Sequence, residues 1–169
     1  MLVIEALKLS ALLVEGDLDI DGEDIDLWLK CYNLVEQELA TDYFPILEID
    51  KFFHVDNKIY YKDFSRSPYL IRGIQDFRGD KVDYTLVTDG ILIKKNYDGG
   101  TFFVKYYYLP EEKGLQSRCT YGADYIHIVK YGVAAEYCLA IGNYDLAKIY
   151  SDKYKERIKL KGPKKKKCK

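Results

Sequence analysis

The spacing of apolar residues changes period twice along this chain, and that change limits the possible folds more than any single motif. Ile25, Trp28, Tyr32, Val35 and Leu39 step by three and four, which places them on one face of a helix. Between Phe44 and Pro110 the period falls to two. "KVDYTLV" alternates Val82, Tyr84 and Leu86 with Asp83 and Thr85, and "TFFVKYYYL" is β-branched and aromatic throughout. The helical spacing then returns, with Ile126, Val129, Val133 and Tyr137 on one stripe and Ala147, Tyr150, Tyr154 and Ile158 on the next. The pattern predicts an α+β chain, a small helical bundle formed by N- and C-terminal helix pairs with an inserted antiparallel β-meander. Helices are expected over residues 2–14, 23–41, 121–141 and 143–160, and the β insertion over 44–110, all within one domain spanning 1–161.

Turn chemistry punctuates the insertion where strands should end: Asp56-Asn57, Arg78-Gly79-Asp80, Asp89-Gly90 and Asp98-Gly99-Gly100. About five or six strands fit between these turns. Gly142-Asn143 plays the same part between the last two helices, and Pro45 limits the second. Beyond Lys161, "GPKKKKCK" has nothing to bury, so residues 162–169 read as a flexible basic tail. The opening "MLVIEALKLSALLVE" is interrupted by Glu5 and Lys8 and lacks a basic n-region, so it reads as a buried first helix and not as a signal or a membrane anchor.

Composition narrows the chemistry. Lys and Arg total 26 against 27 Asp and Glu, so no global field draws the chain onto nucleic acid or a membrane. Tyrosine, at 17 of 169 residues, combines an apolar ring with a hydroxyl that wants a partner, which suits surfaces that touch other proteins. Cys31, Cys119, Cys138 and Cys168 are scattered without a CxxC pair, which points to free thiols and no zinc cluster.

Asp17, Asp19, Asp21 and Gly22 match the first, third, fifth and sixth places of a calcium loop. Trp28 stands where the closing bidentate carboxylate belongs, so the stretch reads instead as an acidic loop that favours the N-terminus of the next helix. "RGD" at Arg78 to Asp80 reads as a strand turn, and His54 and His127 have no supporting nucleophile or acid in a recognised motif. No catalytic residue, cofactor site or metal site is expected. Tyr137, Tyr144, Tyr150 and Tyr154 are the candidate protein-interface residues, and Lys164, Lys165, Lys166, Lys167 and Lys169 form a local basic cluster. Lys105 is the one basic residue within the aromatic run "FFVKYYYLP", so that strand reads as core packing on one face and a protein interface on the other.

"CYNLVEQELATDYFPI", followed much later by "VKYGVAAEYCLAIGNYDLAKIYSDKYKERIK", resembles the head-to-tail adaptor (connector) proteins of tailed bacteriophages and prophages. The shared plan covers about residues 25–160: a helix ending in an acidic, aromatic and proline segment, a sheet of variable size, and a closing hairpin of the form A-x-E-Y-C-L, short turn, A-K-x-Y-x-x-K-Y-K. The resemblance implies a non-enzymatic virion protein at the head–tail junction, made in the host bacterial cytoplasm. Its implied partners are further copies of itself in a ring of about twelve, the portal protein, the tail or stopper, and packaged DNA passing through the channel, with no membrane. The lysine tail would then be the portal-docking segment. Two alternatives share the residues: a nucleic-acid-binding accessory protein that uses the basic tail and sheet aromatics, and another tail-completion or stopper ring protein.

Overall fold

The structure is a computed structural model and describes residues 1–20, 22, 24–55, 57–94 and 100–162, with the side chains of His54 and Val55 excepted. The chain divides into two compact units, Met1–Tyr43 with Pro110–Lys169, and Phe44–Leu109. The first is helical and the second is built of strands, which is the α+β class expected from the change of period, with N- and C-terminal helices flanking the strands.

The helical unit contains α1 (Val3–Val14), α2 (Ile25–Glu38), α3 (Ile126–Ala140) and α4 (Tyr144–Lys161). Helix α1 buries Val3, Ala6, Leu7, Ser10 and Ala11, a stripe at the three-and-four spacing. Its unpaired N-terminal donors are met from a distant part of the chain: Val3 N–H donates to the Ser117 carbonyl at 2.9 Å and Ile4 N–H to that of Leu115 at 3.0 Å. Gly16, at φ +75, reverses the chain after α1. Helix α2 starts two residues later than expected and runs on into a π-helical turn, Leu39–Tyr43. There the Thr41 hydroxyl donates to the carbonyls of Gln37 and Glu38 and competes with the regular ladder. Helix α3 packs against α1, α2 and α4 at once, so it is buried over most of its circumference and its apolar residues exceed one stripe. A single 3₁₀ turn, Ala123–Tyr125, takes the place of the expected first turn.

Among the described residues the second unit has six strands: β1 (Ile46–Val55), β2 (Lys58–Tyr60), β3 (Pro68–Asp76), β4 (Tyr84–Val87), β5 (Gly90–Ile93) and β6 (Gly100–Tyr108). All pairings are antiparallel, but the order is not that of a meander: β1-β6-β3 form one sheet and β2-β5-β4 the other. Length decides this. The three strands of nine or ten residues pair with one another, and the three of three or four residues do likewise. The most strongly alternating strand, β6, lies at the centre of the longer sheet, where both its edges are paired. Phe102, Val104 and Tyr106 of β6 enter a common core with Ile59, Phe64, Ile74, Val82, Ile91 and Ile93 from both sheets. Gly79, at φ +87, makes the turn after β3, and the Asp76 carboxylate accepts from the N–H groups of Arg78 and Asp80 at 2.9 Å each, so the RGD tripeptide is a strand turn as expected.

Candidate interaction surfaces

The four tyrosines singled out in the sequence divide three to one. Tyr137 stacks on Trp28 with ring centroids 3.7 Å apart, and its hydroxyl donates to Asp24 Oδ2 at 3.0 Å. The Tyr150 hydroxyl donates to the Leu13 carbonyl, and that of Tyr154 to Glu38 Oε2 at 3.2 Å. All three rings are buried, and burial is the main cause that pushes each phenol above its ordinary pKa. They belong to the interior of the helical unit, not to its surface, because each hydroxyl finds its partner there. Tyr144 differs: it is 71% exposed at the first position of α4. With Leu139 and Ile141 at the preceding turn it places large apolar side chains in solvent at one end of the α3–α4 hairpin.

The small residues of α3 act where the helices meet. A Cβ on Gly132 would lie 2.9 Å from both Tyr154 Cε2 and Val35 Cγ1, so glycine lets α2, α3 and α4 approach here. Nearby, Glu36 is 1% exposed, a position that a carboxylate occupies only when well partnered. Oε1 accepts from the Tyr32 hydroxyl and from Thr120 N–H at 2.7 Å, and Oε2 accepts from Thr120 Oγ1 at 2.7 Å. This clasp fastens the segment after the sheet insertion to α2. Sequence reasoning missed it, since Glu36 falls at the i+4 place after Tyr32 on a face read as apolar.

The remaining candidates have plain placements. Asp17 Oδ1 accepts from the N–H groups of Leu18 and Asp19 at 2.6 and 3.2 Å, which is loop chemistry. Among the described residues no group of three or more His, Cys, Asp or Glu side chains is arranged to hold a metal ion, and Asp21 lies outside them. Lys164, Lys165, Lys166, Lys167 and Lys169 also lie outside the described residues, as do Cys168 and the His54 side chain. Cys31 and Cys138 are buried and Cys119 is partly so, all as free thiols. Burial raises each of them, Cys31 to about 11 with the Glu136 carboxylate adding to the effect. Among the described residues, no helix is long and apolar enough to cross a membrane.

The larger sheet holds a surface that no single strand announces. Its inner side is the core; its outer side carries Leu47, Ile49, Lys51 and Phe53 from β1, and Phe103, Lys105 and Tyr107 from β6. Strand β3 slips register against β6 between Pro68 and Leu70 and again between Ile71 and Gly73, so Tyr69 and Arg72 are extra residues at two β-bulges. Each bulge turns its extra side chain outward. Tyr69 comes within 6.3 Å of the Tyr107 ring, centre to centre, and the Arg72 guanidinium lies 5.3 Å over that same ring. Lys51 Nζ sits 4.5 Å over Phe53 and 5.5 Å over Phe103. Cations and rings therefore alternate across three strands, and the expectation that Lys105 is the only basic residue beside these aromatics gives way to a face with Lys51 and Arg72 as well. A groove of about 390 Å³ opens at its β3 side, and its lining includes Arg72, Lys81 and Lys105 together with Asp83.

No protein-family model matches the chain, and no curated protein sequence matches it.

Proposed function

We propose that this chain is a non-enzymatic subunit of the head-to-tail adaptor ring of a tailed bacteriophage, docking beneath the portal, extending the DNA channel and presenting a surface to the tail or stopper. The supporting observation is that the two chain ends together build one helical unit, while residues 44–109 form a sheet unit of their own. The insertion leaves and returns through paired strands, with Ile46 opposite Tyr108, so a sheet of any size can be accommodated at that point without disturbing the helices' connectivity. That is the plan on which the resemblance of the end segments rests. The exposed apolar end of the α3–α4 hairpin, with Tyr144, Leu139 and Ile141, suits a contact with a neighbouring subunit or ring.

The test is native mass spectrometry of the full chain mixed with the portal protein encoded in the same genome, beside the chain alone. A discrete portal complex carrying a fixed multiple of this chain is the expected result. Folded protein that never enters such a complex would sink the proposal. A companion variant ending at residue 161 is expected to dock more weakly while keeping its helical circular dichroism; unchanged docking would remove the portal-contact role from the lysine tail.

A further inference from the structure

A closed ring built head to tail needs two different surfaces on each subunit that fit one another. The outer face of the larger sheet supplies one. The outward positions of an antiparallel sheet in contact with water ordinarily carry polar side chains, yet here Leu47, Ile49 and Phe53 stand 52%, 47% and 60% exposed. Lys51, Arg72 and Lys105 are set among them, and the outward positions of β1, β6 and β3 named above contain no carboxylate. Two bulges spend regular pairing to bring Tyr69 and Arg72 to this side. A surface of this kind fits a partner that alternates apolar groups with negative charge.

The chain contains such a segment. Between Lys8 and Lys30 there is no basic residue, and the connection from α1 to α2 presents Glu15, Asp17, Asp19 and Asp24. Leu18, between two of these carboxylates, is 47% exposed. Among the described residues these carboxylates have no basic partner within salt-bridge distance, whereas Lys58 pairs with Asp89 in the sheet unit. The net charge of −1 thus conceals two regions of opposite sign. Spacing agrees as well. Lys51 is paired with Phe103, two residues from Lys105 on β6, so the two lysines are diagonal neighbours about 7–8 Å apart at the backbone. Asp17 and Asp19, two residues apart, reach at most about 7 Å.

We infer that the outer face of the β1-β6-β3 sheet docks the acidic α1–α2 connection of a second copy of this chain. The apolar residues supply the buried area of that contact. The lysines and Arg72 set its register and exclude wrong partners. This rests on the ring proposal and adds the surfaces by which neighbours meet.

Complementation with full-length variants tests it. A face variant, K51Q/R72Q/K105Q, and a loop variant, D17N/D19N, alter side chains that are exposed or, for Lys105, half-buried, and are checked for native circular dichroism. Each alone is expected to self-associate at least tenfold more weakly than the wild type by sedimentation at high protein concentration. Mixed, they should form a 1:1 complex and nothing larger, since only one intact loop and one intact face remain to meet. Carbodiimide coupling of an equal mixture of unlabelled and ¹⁵N-labelled wild-type chains should join Asp17 or Asp19 of one isotope to Lys51 or Lys105 of the other, with and without the portal protein. Couplings confined to a single chain, or variants that associate like the wild type, overturn the inference. So does a single-stranded oligonucleotide that binds the wild type and not the face variant while no chain-to-chain coupling occurs. A portal-bound ring without these couplings would overturn this inference and leave the adaptor proposal standing. Couplings between chains without any portal complex would do the reverse.

Discussion

Gly132 and Glu36 show how single residues hold the helical unit together. Valine at position 132 would push against the Tyr154 ring and Val35, both within 2.9 Å of the first added carbon and both buried. Overpacking of this kind costs about 1–3 kcal/mol, and the gain in helix propensity over glycine returns less than about 1 kcal/mol. Gly132→Val is therefore expected to lower the urea midpoint with an unchanged slope. Glu36→Ala removes the acceptor for the Tyr32 hydroxyl and both Thr120 donors, leaving buried groups unsatisfied at a cost of about 3 kcal/mol. Glu36→Gln keeps one acceptor oxygen and a rotatable Thr120 hydroxyl opposite the amide, so a loss within about 1 kcal/mol is expected. Equal effects from the two substitutions, measured by chemical denaturation, would show that the charge and not the bonding matters. The sequence shows Gly132, with Ala134, Ala135 and Ala140, as a small residue that allows close helix approach, but a glycine names no neighbour; Glu36 was not apparent, since a glutamate on an apolar face reads as the edge of a stripe.

Among the elements, the α3–α4 hairpin was the most legible. Its turn is the expected Gly142-Asn143, with Gly142 at φ +78 and Asn143 Oδ1 accepting from Leu146 N–H at 3.3 Å as the cap of α4. Its four buried α4 residues, Ala147, Tyr150, Tyr154 and Ile158, are those of the expected stripe. Asn143→Ala should cost about 1 kcal/mol, read as a lower thermal midpoint; no change would mean that the cap is redundant with tertiary packing. The strands were legible in number and in alternation but not in partnership. Period and turn residues mark where a strand begins and ends, whereas the pairing of β6 with β1 and β3 follows from matched lengths and a shared core. The outer sheet face depends on that pairing, and on two bulges that no local signal marks. Read strand by strand, Lys105 was isolated; read across the sheet, it has Lys51 and Arg72 for company.

For the molecule as a whole, buried titratable groups set an alkaline limit to stability. Burial raises the thiols of Cys31, Cys119 and Cys138 and the phenols of Tyr32, Tyr106, Tyr137, Tyr150 and Tyr154. The folded state keeps protons that the unfolded chain releases, so this contribution is complete below the unfolded values of 9.0 for Cys and 10.0 for Tyr. It falls as pH rises past 9.0 toward about 11, where Cys31 titrates, and further where the tyrosines do. The urea midpoint should be lower at pH of about 10.5 than at about 8, and a flat profile over that range would contradict the burial of these groups. By itself the sequence determined the class of the protein, the ends of most helices and the turns at Gly79, Gly90 and Gly142, because periodicity and turn chemistry act over a few residues; the expected turns at Asp56 and at Asp98-Gly99 lie outside the described residues. The tertiary structure decided which tyrosines are interior, which strands are neighbours and where charge of each sign collects. Those properties belong to side chains distant along the chain, and folding alone brings them together.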